Sequence, residues 1–508
     1  MSRRRAVLAN IAGMGANTFI VSLQALILVP LYLRTLGPRL YGAWLGTGDI
    51  LNFLQLFDLG LTNVVTQRIG AAHARGDADA VGEYFGSGVV AMTVIGALLA
   101  LAALGLSFGV SRWMHLTGAE ADLLIACFRL GALATFLFVA NFSVLGLARG
   151  TQDTDLQNAG VVLGAIGGFV ISLVLLLRGA GLWAIVAGLC TRTGVVLLVS
   201  AIYVARLRMR GQLRNVRPTR RALVEFARLS PATTLAGIGY LLTTQTEATL
   251  VAVIIGPEAV PILTLTRRAV DVASGLLNTV AYSSYAGFAH LVESPERERS
   301  LEVYAEVSSL WLSLALSAAA AYVVVNPSLV PIWAGDAVFG GRGLTILLAL
   351  QMLVMGYTQV MYYLYRASGE IVDGSILQFK ESLVRFGVML LLLKFVGISG
   401  PALATLLVAA PACLIAVRRT RATLVPFARH AAPAPARAWA VRGAIAVAAA
   451  GLCLLPSHRS WPFVFGAGAS ICLMALALQL ATDPRLARTF ASVRTMVGRF
   501  APFAAPAT

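Results

Sequence analysis

Six basic residues stand inside apolar runs long enough to cross a bilayer, and they are the side chains of this 508-residue chain best placed to do chemistry. Arg192 is the clearest, with long apolar stretches on both sides and no acid within a helical turn. Arg129, Arg267, Arg268, Lys380 and Arg385 complete the set. A charge at mid-bilayer costs at least about 2.5–3.5 kcal/mol on insertion scales, so a span that keeps one marks a candidate functional site. Guanidinium forks meet phosphate or carboxylate oxygens two at a time, and a dry cavity lined by one sign of charge strengthens the attraction. The chemistry expected is the binding of an anionic cargo.

Two structural roles compete with that reading: a buried ion pair, and a side chain that snorkels to the interface. Glu247 lies nine residues before Gly256 and Arg267 eleven after it. At about 1.5 Å per residue both sit at a similar depth, so an ion pair across that hairpin is open for Arg267. Lys380, beside Glu381 and near Arg385, is open to forming a structural cluster. Asp49, Asp58 and Glu247 are the acids available to carry a coupling proton or sodium ion, although Asp58 beside Gly60 suits helix packing or capping equally well. Asn17, Gln24, Gln351, Gln359, Tyr357, Tyr362 and Tyr363 offer amide and hydroxyl contacts, with tyrosines near span ends equally suited to anchoring at the interface.

Other chemistries find no footing. Neither Lys380 nor Lys394 follows a glycine, so there is no Walker A loop, and no histidine is followed by Glu, so there is no HExxH zinc site. Asp77-Ala78-Asp79 and Asp153-Thr154-Asp155 imitate the DxD of nucleotide-sugar transferases without a soluble nucleotide-binding domain to use it, and Asp155 reads as a helix cap. The GxSxG at Gly105 to Gly109 lies within an apolar helix and not on a strand-to-helix turn. Cys127, Cys190, Cys413, Cys453 and Cys472 are far apart in apolar runs and read as small core residues. We expect no enzyme, no cofactor and no metal.

The elements that must position these residues follow from composition. The chain is 58% apolar and 12% charged, with mean hydropathy +0.80, whereas soluble domains hold about 45–50% apolar and about 25% charged residues. Apolar stretches at 6–33, 41–68, 82–110, 121–148, 156–178, 180–205, 222–255, 258–289, 301–325, 342–367, 371–396, 400–417, 438–456 and 461–481 predict about fourteen transmembrane helices, the class being an all-α polytopic membrane protein. Arg3, Arg4 and Arg5 resemble the start of a signal peptide, but the run that follows is too long and lacks a cleavage site, so it is expected to stay as the first helix. Twenty-seven of the forty basic residues fall in segments on one side and seven on the other, which places both termini on the cytoplasmic side of the membrane. The net charge of +17 is thereby explained without nucleic acid, since the arginines flank helix ends with no aromatic interleaving. Attraction to anionic lipid accounts for them.

Three marks recur at nearly one offset. Gly37 and Pro38 correspond to Gly256 and Pro257, an offset of 219; Gly70, Ala72 and His73 to Gly287, Ala289 and His290, 217; Leu147 and Arg149 to Leu364 and Arg366, again 217. They map helices one to six onto seven to twelve in the same direction, a parallel repeat about an axis along the membrane normal. The expected organisation is a six-helix lobe at 1–210, a second at 211–425, two extra helices at 426–482 packing outside the repeat, and a basic cytoplasmic tail at 483–508.

The stretch from Leu31 to Arg75, LYLRTLGPRLYGAWLGTGDILNFLQLFDLGLTNVVTQRIGAAHAR, resembles the polysaccharide transporters of the multidrug/oligosaccharidyl-lipid/polysaccharide exporter superfamily, including Wzx-type flippases. The shared pattern is an LG turn, the Tyr41-Gly42 pair, the Asp58-to-Gly60 step and Arg68 at the helix end, echoed by GPEAV from Gly256 to Val260. The chain departs from the pattern with Glu247 where Asp is frequent and Pro261 where Gly is common. The resemblance implies export of an undecaprenyl-diphosphate-linked oligosaccharide from the inner to the outer leaflet by alternating access, with H+ or Na+ coupling and a polysaccharide polymerase complex as partners, and the repeat suggests a monomer. The alternatives are an ion-coupled multidrug exporter of the same fold, against which the basic excess in the spans argues, and a membrane polysaccharide polymerase or ligase, which would need a large outer loop.

Overall fold

A computed structural model describes residues 3–55, 61–228, 245–294, 296–426, 435–456 and 458–487. Among them there is no strand, and the ordered elements are α-helices joined by short turns. The protein is an all-α polytopic membrane protein. Nine stretches of the described residues are long and apolar enough to cross a membrane. One of these, Ile371–Leu424, contains two of the passes expected from the sequence, because a turn at Gly397 (φ 67) interrupts it.

The chain divides into two compact units, Met1–Pro261 and Ile262–Thr508. The first opens with α1 (Arg3–Gln55), which is two helical arms across Gly37 (φ 72, ψ 165), the residue that lacks the Cβ this conformation would strain. Then come α2 (Leu61–Ala74), α3 (Ala78–Trp113), α4 (Ala119–Ala140), α5 (Phe142–Gly150), α6 (Asp155–Leu177) and α7 (Leu182–Met209). Residues 220–228 are helical, and α8 (Glu247–Ile254) closes the unit.

Local chemistry sets these boundaries. The Asp77 carboxylate accepts the Ala80 N–H at 2.9 Å and caps α3, which accounts for the first aspartate of its DxD sequence. Asp155 sits in the first turn of α6, one residue after the cap position, where a carboxylate still complements the helix dipole. A core of Val65, Ile69, Phe85, Leu147, Tyr203, Leu207 and Phe226 ties α2, α3, α5, α7 and residues 220–228 together at one end of the unit.

The second unit takes up most of α9 (Ala259–Glu293), then α10 (Ser300–Ala334), α11 (Gly341–Ala367), α12 (Ile371–Val396) and α13 (Gly400–Leu424), followed by α14 (Ala436–Cys453) and α15 (Trp461–Thr482). Helix starts recur between the units: α6 begins at Asp155 and α12 at Ile371, 216 residues on, while α7 begins at Leu182 and α13 at Gly400, 218 on. The sequence marks fall at matching places, with Gly37 and Gly256 both at positive φ and Arg149 and Arg366 both in a last helical turn. The two extra helices pack on α10, where Leu316 and Ala320 meet Ile445, Ala449 and Ala475.

Candidate functional site

In the first unit Arg192 stands within α7, partly buried, with its stem on α6. Gly160, Gly164 and Gly168 of α6 are four residues apart and face α7. A methyl at Gly164 would lie 2.9 Å from the Arg192 carbonyl oxygen, and one at Gly168 would lie 3.3 Å from its Cβ. Small residues at this spacing are how membrane helices approach closely. The Arg192 guanidinium has no ion-pair or hydrogen-bond partner among the described residues.

Arg129 differs. It is exposed on α4, donates from Nε to the Ser107 Oγ at 3.0 Å and stacks over the Phe108 ring at 5.3 Å. Exposed Leu130 and Leu133 flank it, so it belongs to an apolar surface of the kind lipid covers.

Glu247 is buried in the first turn of α8, held against the second arm of α1. There the Thr249 hydroxyl donates to the Gly46 carbonyl at 2.6 Å. A methyl at Gly42 would overlap the Pro257 carbonyl oxygen, so only glycine lets the arm lie this close. That contact gives the Tyr41-Gly42 pair its physical reason. Asp49 lies in α1 with its side chain outside the described residues, and Asp58 lies outside them altogether.

In the second unit the basic residues separate into two kinds. Arg385 pairs with Glu381 at 3.0 Å one turn earlier, both buried. Arg267 pairs with Asp271 at 3.2 Å, also one turn apart. By contrast Arg268 is half-buried and Lys380 is exposed on α12 beside Leu383 and Val384, and neither makes a hydrogen bond or ion pair among the described residues.

Sequence reasoning missed several partners. Asp271 was legible as the acid four residues after Arg267, a spacing that puts two side chains on one helix face. Arg442, counted above among the flanking arginines of one side, is buried in α14 and binds the Asp483 carboxylate at 3.0 Å and the Ser309 hydroxyl at 2.7 Å. Arg366, read as a repeat mark and as one of the basic residues of the inner side, donates to the Gln378 side-chain carbonyl at 2.7 Å and lies over the Tyr363 ring. Gln378 in turn donates to Gln359 at 3.2 Å. Gln24 donates to the Ala165 carbonyl at 2.8 Å, so it ties α1 to α6.

The fold is similar to that of membrane transporters of the MOP superfamily. It is similar to a multidrug resistance MATE family transporter in an inward-facing conformation, at 15% identity and a TM-score of 0.67, covering 80% of this chain and 95% of that one. The lipid II flippase MurJ in an inward closed conformation is similar at 12% identity and a TM-score of 0.63, over 94% of this chain and 99% of that one. A MOP superfamily transporter from Pyrococcus furiosus, whose reverse pocket polarity suggests a different function, matches at 15% identity and a TM-score of 0.53, over 83% and 93% of the two chains. At these identities the likeness is one of fold. No curated protein matches the sequence. Residues 7–285, more than half of the chain, match the family of polysaccharide biosynthesis proteins, and the chain belongs to that family.

Proposed function

We propose that the protein is a flippase that moves an undecaprenyl-diphosphate-linked oligosaccharide across the bacterial cytoplasmic membrane for cell-surface or exopolysaccharide assembly. It works by alternating access, as a transporter and not an enzyme, with both termini in the cytoplasm. The family and the fold support transport of a polysaccharide precursor. The observation that carries an anionic cargo is Arg192, an arginine inside an apolar span with no protein partner among the described residues. Keeping such a charge costs stability unless a bound anion offsets it. Within the second unit Arg268 and Lys380 make no ion pair among the described residues, whereas Arg385 and Arg267 are engaged by acids on their own helices.

In this reading Asp49, Asp58 and Glu247 are the candidates for H+ or Na+ coupling, the protein acts as a monomer, and its product passes to a polysaccharide polymerase complex. Buried Glu247 is also what an ion-coupled multidrug exporter would use, and it supports that second reading. The experiment is extraction of lipid-linked oligosaccharides from cells lacking the protein, with sidedness read by an outer-leaflet label. Complete repeat units held in the inner leaflet and cleared by the wild type are expected. A normal distribution in the deletion strain overturns the flippase and leaves drug export to be assayed.

A further inference from the structure

The stretch from the last turn of α7 to residue 228 is a heavily basic surface of the first unit. Between residues 206 and 228 it carries eight exposed arginines, none with an ion-pair partner among the described residues. It is a fixed strap and not a solvated loop. The Arg214 N–H donates to the Ala78 carbonyl at 3.2 Å, the Asn215 amide to Asp79 at 2.6 Å, and the Thr219 N–H to the Ser87 hydroxyl at 3.0 Å. Leu213 is buried in the core beneath, with Val216 packed beside it.

Two glycines make the seat. A methyl at Gly82 would overlap the Arg214 carbonyl oxygen, and one at Gly86 would come within 3.0 Å of the Arg217 nitrogen. The acids of the strap's two neighbouring helical segments are occupied. Asp77 caps α3, Asp79 accepts from Asn215, Glu83 accepts from the Thr219 hydroxyl at 2.5 Å, and Glu225 pairs with Arg68 outside the strap. The arrangement thus buries the apolar side, engages the acids with donors other than the strap's arginines, and leaves those guanidinium groups without an ion-pair partner among the described residues.

Depth narrows the ligand. With 36 residues α3 is about 54 Å long, well beyond a hydrocarbon core of about 30 Å. The acids Asp77, Asp79 and Glu83 mark its first turns, where the strap lies, as an end that reaches the level of lipid headgroups. Arg214, Arg217, Arg220 and Arg221 fall within eight consecutive residues. A diphosphate concentrates two phosphoryl groups in one headgroup and can engage several forks at once, whereas a phospholipid offers a single phosphate.

We propose that the strap is a loading surface that captures the diphosphate of a polyprenyl-diphosphate lipid at the membrane face before transport. This rests on the flippase reading and adds to it a cargo site outside the spans.

The test uses the full-length protein in phosphatidylcholine nanodiscs and a farnesyl diphosphate analogue with a diazirine on its first isoprene unit. Adducts are expected within residues 206–228, competed by pyrophosphate and not by excess phosphatidylglycerol. Replacing Arg214, Arg217, Arg220 and Arg221 by Gln should lower them about tenfold, as expected when charge-assisted contacts are removed. Gly82→Leu keeps every charge but unseats the strap, and should lower them comparably. Adducts unmoved by the arginine variant, or phosphatidylglycerol competing as well as pyrophosphate, would overturn the proposal. Failed labelling of a protein that still clears inner-leaflet cargo in cells overturns the strap alone. A deletion strain with normal sidedness overturns the flippase reading instead.

Discussion

Arg385 and Glu381 close an ion pair at 3.0 Å with both side chains buried, one turn apart on α12. The pair divides the intramembrane basic residues into those the protein has already neutralised and those, led by Arg192, that it has not. Buried pairs hold structure mainly because breaking them strands a charge.

Arg385→Ala is therefore expected to destabilise the protein by about 3–5 kcal/mol, since it leaves the Glu381 carboxylate buried beside lost packing. The midpoint of thermal unfolding in detergent reads this. Converting both residues to leucine should recover most of the loss, and an unaltered midpoint for Arg385→Ala would show that the pair carries no structural load.

The Arg442–Asp483 pair anchors the two added helices, because Asp483 also accepts from Ser309 at 2.5 Å on α10. A double-mutant cycle with Arg442→Leu and Asp483→Leu should give a coupling of about 0.5–3 kcal/mol. Strictly additive losses would mean that apolar contacts alone hold α14 and α15 in place.

Gly42 and Gly48 lie on the same helical arm and provide a matched comparison. A methyl at Gly42 meets the Pro257 carbonyl, while nothing among the described residues stands within 4 Å of one at Gly48. Gly42→Ala should cost about 1–3 kcal/mol through overpacking. Gly48→Ala should be neutral or stabilising, as alanine favours a helix interior over glycine by about 1 kcal/mol. The yield of folded protein and its unfolding midpoint check both, and equal behaviour would remove the contact as the reason for the Tyr41-Gly42 pair.

Much of the fold was legible because a bilayer imposes length and polarity on every span. The runs at 156–178 and 180–205 correspond closely to α6 and α7, and Gly37 and Gly256 form the turns that their repeat offset anticipated. The candidate site was less legible. A basic residue in an apolar run is visible in sequence, but whether it is already paired depends on helix faces and on tertiary neighbours. Arg267 and Asp271 were within reach of the four-residue rule, whereas Arg442 and Asp483 are 41 residues apart and meet only through packing on α10. The strap was visible only as a run of arginines, since its seat on Gly82 and Gly86 comes from a segment more than a hundred residues earlier.

Transport through the Arg192 site is tested most directly in proteoliposomes holding a fluorescent polyprenyl-diphosphate-linked oligosaccharide, with the fraction accessible to an external quencher followed over time. Wild type should equilibrate the probe between leaflets. Arg192→Ala, of unchanged unfolding midpoint, should not, and Arg192→Lys should recover part of the rate, since an ammonium keeps the charge but loses the fork. Equal rates for wild type and Arg192→Ala would contradict the assignment of Arg192 to the cargo.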